Sequence, residues 1–161
     1  MDWSAWQPQE RATLLFVVQE GQVLLIHKKR GLGAGKINAP GGRLEAGETP
    51  LEAALRETRE ELAIEALGVE HRGDLHFQFI DGYALSCSVF FATGYTGTPT
   101  ETDEAAPVWF PLGEIPYDQM WADDRHWLPA ALAGHKFQGW FNFDGDKMLD
   151  KKIDFEPPEV K

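Results

Sequence analysis

The stretch Gly42-Arg43-Leu44-Glu45-Ala46-Gly47-Glu48-Thr49-Pro50-Leu51-Glu52-Ala53-Ala54-Leu55-Arg56-Glu57-Thr58-Arg59-Glu60-Glu61-Leu62 decides how the rest of the chain is read. Thr49 is a good N-cap, Pro50 suits the first helical position, and Glu52 completes a Thr-x-x-Glu capping box, so a helix starts here. Leu51, Ala54, Leu55, Thr58 and Leu62 recur at helical spacing and form its expected buried stripe. Glu60 and Glu61 follow Glu57 by three and four residues, which puts the carboxylates on one side of the helix. They also occupy its last turns, where the macrodipole disfavours acids. A solvated acidic face is the commoner reading of a Glu-rich helix. Here the local rule is broken at its worst position, and such violations tend to mark functional sites. A hard divalent cation relieves the repulsion, and an all-oxygen ligand set suits Mg²⁺ or Mn²⁺. Arg56 reaches Glu60 at i+4 and orients it.

Upstream, residues 12–18 and 23–27 are β-prone runs separated by Gln19-Glu20-Gly21-Gln22, a hairpin pattern. The glycines of 30–35 and Ala39-Pro40-Gly41-Gly42 form a shaped loop that lets backbone approach a phosphate or metal. Downstream, strands are expected at 76–80, 85–92 and 108–110. A second helix is expected from Asp123–Asp124 through Trp127 to Leu132, with late strands at 137–143 and 148–155 around Asp144-Gly145. Strands mixed with two helices predict an α/β or α+β class. The 161 residues suit a single domain over 1–161, with 1–10 and 156–161 flexible.

The net charge of −11 argues against a nucleic-acid-coating protein or an anionic-membrane binder. A single cysteine, Cys87, excludes an intramolecular disulfide and a Cys-based zinc site, and it reads as a small core residue. The N-terminus lacks a basic and apolar leader pattern, and no apolar run is long enough to span a bilayer, so a soluble, cytoplasmic protein is expected. The five histidines form no metal spacing. Adjacent Asp123 and Asp124 either cap the second helix or, in an apolar slot, split their pKa values so that one donates and one accepts.

The helix segment resembles the Nudix box, Gly-x5-Glu-x7-Arg-Glu-x-x-Glu-Glu, with Gly42, Glu48, Arg56, Glu57, Glu60 and Glu61 in place. Thr58 stands where an aliphatic residue is usual, and Ala63 where glycine normally ends the helix, so a different helix end is expected here. Segments 28–38, 77–79, 101–104, 115–124 and 136–141 are similar to one subgroup, the animal oxidised purine nucleoside triphosphatases. The resemblance implies an α/β/α sandwich around a mixed sheet, with a catalytic helix following a Gly-rich loop. It also implies hydrolysis of oxidised purine nucleoside triphosphates, such as 8-oxo-dGTP, to monophosphate and pyrophosphate. By the same resemblance Glu57, Glu60 and Glu61 hold Mg²⁺ (Mn²⁺ being the alternative), with the Gly41 carbonyl a further ligand. Glu104 is an additional acid at the metal, and Glu61 or Glu104 is the base. Arg56 belongs to the catalytic set. Asn38, Asp123 and Asp124 read the purine edge, Trp121, Phe77 and Phe79 wall its slot, and Lys28, Thr13, Leu14 and Leu32 line it. Leu32 departs from an aromatic in the subgroup, Pro40 replaces an aromatic, and Trp121-Ala122-Asp123-Asp124 lacks a proline. The implied partner is a small-molecule nucleotide, with no nucleic acid or membrane and a monomeric chain. Alternatives are a Nudix hydrolase for a dinucleoside polyphosphate or 5′-triphosphorylated RNA, and an inert nucleotide-binding module.

Overall fold

The computed structural model describes residues 1–157. The first hairpin joins β1 (Glu10–Gln19) to β2 (Gln22–Lys28) through Glu20 and Gly21, both at positive φ. Two short strands follow the glycine loop, β3 (Ile37–Asn38) and β4 (Gly41–Arg43). Then come α1 (Pro50–Leu62), β5 (Glu65–Phe79), β6 (Ala84–Thr96) and β7 (Ala105–Pro111). The described chain ends with α2 (Asp124–Leu132), β8 (Lys136–Asp144) and β9 (Lys147–Glu156). All the strands belong to one sheet in the order β3-β2-β1-β6-β5-β8-β9, with β4 on β1 and β7 on β2. The β1–β6 and β5–β8 pairs are parallel and the others antiparallel, so the sheet is mixed.

Strand alternation gives this sheet two apolar faces. Phe16, Leu25, Leu75, Val89, Phe91 and Phe141 pack with Trp127, Leu128 and Ala131 of α2. Leu15, Val17, Leu24, Ile26, Phe90 and Ala92 pack with Ala54 and Leu62 of α1. The expected α/β/α sandwich is the observed architecture.

Several expectations are corrected. Leu51 is 42% exposed and Ala53 is buried in its stead, because α1 turns small residues toward the sheet and approaches it closely. Thr58 is buried and satisfies its hydroxyl on the Ala54 carbonyl at 2.8 Å. Strand β5 starts at Glu65, eleven residues before the expected 76, and pairs with β6 along its length despite a register shift between His71 and Gly73. Its first half is too polar to read as a strand alone, and pairing supplies what pattern lacks. Within residues 1–10, Trp6 Nε1 donates to Gln78 Oε1 at 2.8 Å and Glu10 begins β1. Glu156 lies in β9 opposite Lys136, and the expectation for 158–161 lies outside the described residues. The helix end does not differ after all. Ala63 itself adopts the left-handed conformation (φ 60°, ψ 35°), and its N–H donates to the Arg59 carbonyl.

A Cβ in that conformation costs on the order of 1 kcal/mol. Ala63→Gly, which also loosens the unfolded chain, is therefore expected to stabilise the fold by about 0.5–1 kcal/mol. Thermal unfolding reads this as a rise in Tm of a few degrees.

Candidate active site

The site begins with two glycines. In β4, Gly41 and Gly42 pair with Leu14 and Thr13 of β1. A Cβ on Gly41 would lie 1.9 Å from the Thr13 carbonyl oxygen, and one on Gly42 would lie 2.5 Å from the Glu57 carboxyl carbon. Gly41 N–H donates to Glu61 Oε1 at 2.8 Å. Helix α1 is thus held with its acids directly on the backbone of the sheet.

Arg56 organises those acids. Its Nε and Nη2 grip Glu48 at 2.6 and 2.9 Å, and its Nη1 reaches Glu57 at 2.7 Å and Glu60 at 3.3 Å. Nη2 also donates to the Arg43 carbonyl at 3.1 Å. The bidentate guanidinium holds Glu48 down to about 2. Glu57 shifts the other way: burial pushes it up against the pull of Arg56, and the charges of Glu60 and Glu104 add to the rise.

Carboxylate oxygens of Glu57, Glu60 and Glu104 lie within 4.8 Å of one another. Glu104 comes from the loop before β7 and is set by Thr102, whose hydroxyl donates to the Glu61 carbonyl at 2.8 Å and accepts the Glu104 N–H at 3.2 Å. Mutually repelling hard oxygen donors with no thiolate or imidazole among them suit Mg²⁺ or Mn²⁺. Glu61, also expected as a ligand, stands deeper. It is 3% exposed, and burial raises it to about 8, opposed by the Gly41 N–H and Lys28 and reinforced by Glu57 and Glu104.

From this cluster a cavity of about 700 Å³ runs into the α2 face of the sheet. Thr13, Leu14, Lys28, Leu32, Asn38, Phe77, Phe79, Trp121, Asp123 and Asp124 all line it, as do Gly41, Glu57, Glu61 and Glu104. Glu60 and Arg56 do not; Glu60 is half exposed outside the lining and Arg56 works from behind. Asn38 Oδ1 accepts the Ala39 N–H at 2.9 Å, which turns its NH₂ to other partners. Trp121 stands edge-on to Phe143 at 5.6 Å, and Gly33, at φ +83°, has no room for a Cβ, which would lie 2.7 Å from the indole Nε1.

Neither aspartate caps α2. Asp123 sits at the cap position with helical backbone angles and makes no side-chain capping bond. Asp123 Oδ2 instead accepts the buried Trp127 Nε1–H at 2.9 Å. Asp123 Oδ1 and Asp124 Oδ2 are buried with no donor group against them among the described residues, and the two side chains lie beside each other. Desolvation raises both acids, Asp123 to about 6 and Asp124 further because of its neighbour's charge.

Sequence reasoning missed Arg30, Arg43, Leu75, Tyr83 and Leu85 in the lining. The period-2 alternation from Phe77 back to Leu75 was the available signal. Cys87, expected in the core, is 5% exposed there but also touches the cavity, and burial pushes its thiol up, so it stays protonated.

The site is a carboxylate-rich helix beside an aromatic-walled cavity in an α/β/α sandwich. A family model, NUDIX domain, matches residues 8–131, and the chain belongs to the Nudix family. It is 44% identical over 144 residues to the oxidized purine nucleoside triphosphate hydrolase of Danio rerio, covering 88% of this chain and 92% of that protein. The mouse protein of the same name is 41% identical over 143 residues, with the same coverage. The crystal structure of a mutator MutT protein from Bacillus halodurans superimposes with a TM-score of 0.79 at 30% identity, covering 90% of this chain and 97% of that one.

The raised carboxyls fix the sign of a pH effect. Glu61 at about 8 and Asp123 at about 6 lie above their unfolded values of 4.5 and 3.8, so each contributes fully below its unfolded value and loses that contribution as pH rises through its raised one. In EDTA, Tm is expected to fall between pH 4.5 and 8. Added Mg²⁺ is expected to raise Tm more at pH 8 than at pH 5, because ligation needs ionised carboxylates. Differential scanning fluorimetry across that range checks both.

Proposed function

We propose that the chain hydrolyses oxidised purine nucleoside triphosphates to nucleoside monophosphate and pyrophosphate, acting as a monomer on the cytoplasmic nucleotide pool and so protecting DNA from damaged precursors. The observation that carries this reading is the pair of buried, partly unpartnered carboxylates of Asp123 and Asp124 in the cavity that also holds Glu57, Glu61 and Glu104. One end suits a polar aromatic edge and the other a metal-bearing phosphate chain. The two vertebrate relatives carry the corresponding activity in their names.

A polyphosphate repels nucleophiles because its oxygens are charged, and Mg²⁺ held by Glu57, Glu60 and Glu104 would supply the neutralisation. Arg56 keeps Glu57 and Glu60 in place through direct hydrogen bonds. Glu61 or Glu104 would take the proton of the attacking water. The Gly41 N–H fixes Glu61, and Thr102 fixes Glu104. At the far end, like charges on adjacent buried acids cannot both ionise, so Asp123 and Asp124 retain a proton between them. That pair offers an O–H donor and a carboxylate acceptor beside the Asn38 amide. Trp121, Phe77 and Phe79 give the purine apolar walls, and Leu14 and Leu32 continue them. Lys28 and Thr13 supply polar groups between the two ends.

A Mg²⁺-dependent turnover panel of dGTP, 8-oxo-dGTP, 2-oxo-dATP, a dinucleoside polyphosphate and 5′-triphosphorylated RNA, with products separated by chromatography, tests the reading. Oxidised purines are expected to lead, with pyrophosphate as co-product. Orthophosphate as the main product, or preference for the RNA or dinucleoside substrate, would overturn it. Asp124→Ala is expected to lower kcat/KM for 8-oxo-dGTP about 10-fold, and Glu61→Gln to lower kcat by roughly 10²-fold.

A further inference from the structure

Arg43 carries a charge that the catalytic scheme above leaves unused. Its backbone is locked, since β4 pairs it with Ala12 and its carbonyl accepts from Arg56 Nη2 at 3.1 Å. Its side chain is 70% exposed and lines the same cavity as Glu57, Glu61 and Glu104. The guanidinium Nη1 contacts both oxygens of Glu10, at 3.1 and 2.9 Å. Glu10 Oε2 in turn accepts the Tyr83 hydroxyl at 2.9 Å, and Tyr83 also lines the cavity. Three remote segments therefore meet at the mouth: the start of β1, the glycine strand, and the turn between β5 and β6.

We propose that Arg43 is a substrate-contacting residue for the phosphate chain, parked on Glu10 and Tyr83 until the polyanion draws it across, so that Glu10 sets substrate affinity by competition. The inference rests on the reading of the cavity as a site for a phosphorylated substrate. It adds a cation and its antagonist to that site. The physical case has three parts. In a chain of net charge −11, a cation lining the cavity beside the carboxylate cluster is a scarce resource for a polyphosphate. An exposed ion pair is worth little by itself, so parting Arg43 from Glu10 is cheap. A polyphosphate oxygen offers the guanidinium the same planar, charge-assisted bonds as a carboxylate, with more negative charge behind them. Glu10 accepts from both Arg43 and Tyr83. Its carboxyl is held below the usual range mainly by Arg43, with Tyr83 assisting, so it remains a full competitor at neutral pH.

A structural ion pair and a competing one make opposite predictions. If the pair only braces the fold, Arg43→Met and Glu10→Gln break the same contact and move KM in the same direction. Under the proposal they diverge. Arg43→Met is expected to raise KM for 8-oxo-dGTP about 10-fold, the size of one charge-assisted hydrogen bond. Glu10→Gln is expected to lower KM about 3-fold, and Tyr83→Phe, which weakens the parking place, to lower it less. The double variant is expected to match Arg43→Met, because Glu10 acts only through Arg43. Titration calorimetry of inorganic tripolyphosphate with Mg²⁺ gives the same signs without a base, and 8-oxo-dGMP, which lacks the outer phosphates, is expected to bind all variants alike. Parallel changes in KM for Arg43→Met and Glu10→Gln, tracking Tm, would overturn the proposal. Opposed changes in tripolyphosphate affinity in a chain that leaves oxidised purine nucleotides untouched would retain Arg43 as a polyphosphate contact and reject the substrate reading instead.

Discussion

The distance between strand β1 and helix α1 is set by the absence of two side chains. A methyl on Gly41 would overlap the Thr13 carbonyl, and one on Gly42 would overlap the Glu57 carboxylate. The placement of the α1 acids hangs on that contact. It places Glu61 against the Gly41 N–H, brings Glu57 to the cavity wall, and leaves Arg56 on the outer side where it can hold Glu48, Glu57 and Glu60 together. The glycines matter here for the room they leave. Gly41 and Gly42 are not among the glycines at positive φ, so the constraint is steric and not one of backbone angle.

Gathering acids this tightly runs against stability, and the structure shows how the opposition is distributed. Arg56 compensates Glu48 fully and Glu57 in part, whereas Glu61 is left with one backbone donor and little solvent. The helix even ends on a strained alanine. Local rules of helix design are broken where the chemistry sits, while the capping box at the other end of α1 obeys them. The aspartate pair repeats the pattern on the opposite side of the sheet. Trp127 satisfies one oxygen of Asp123, and Asp123 Oδ1 and Asp124 Oδ2 are buried with no hydrogen-bond partner of the usual geometry among the described residues. Burying such groups is costly unless a ligand or a retained proton completes them.

One sheet serves both ends because β1 passes between them. Thr13 and Leu14 pair with the glycine strand on one edge and with β6 on the other, so the two ends of the cavity share one strand as a wall. The glycine loop over 30–35 contributes at the periphery, where Gly33 lets the chain pass against the Trp121 indole.

Sequence alone determined the features that depend on neighbours a few residues apart. The cap of α1, the common side of Glu57, Glu60 and Glu61, the reach of Arg56 to Glu60 and the first hairpin all follow from helical and strand periods. The resemblance to a known family then carried Asn38, Phe77, Trp121 and the aspartates into one pocket, and the cavity does unite them. What spacing could not reveal is which distant segments meet. Glu104 joins Glu57 and Glu60 only because Thr102 bridges to the end of α1, and Arg43 meets Glu10 and Tyr83 only because β4 docks beside β1. Strand β5 extends back to Glu65 through pairing that its own polar first half does not announce. Leu51 is exposed while Ala53 and Ala54 of the same helix are buried. Local periodicity is written in bonds along the chain, whereas register between strands is settled by how two faces of one sheet fill with side chains, and only the folded molecule makes that choice.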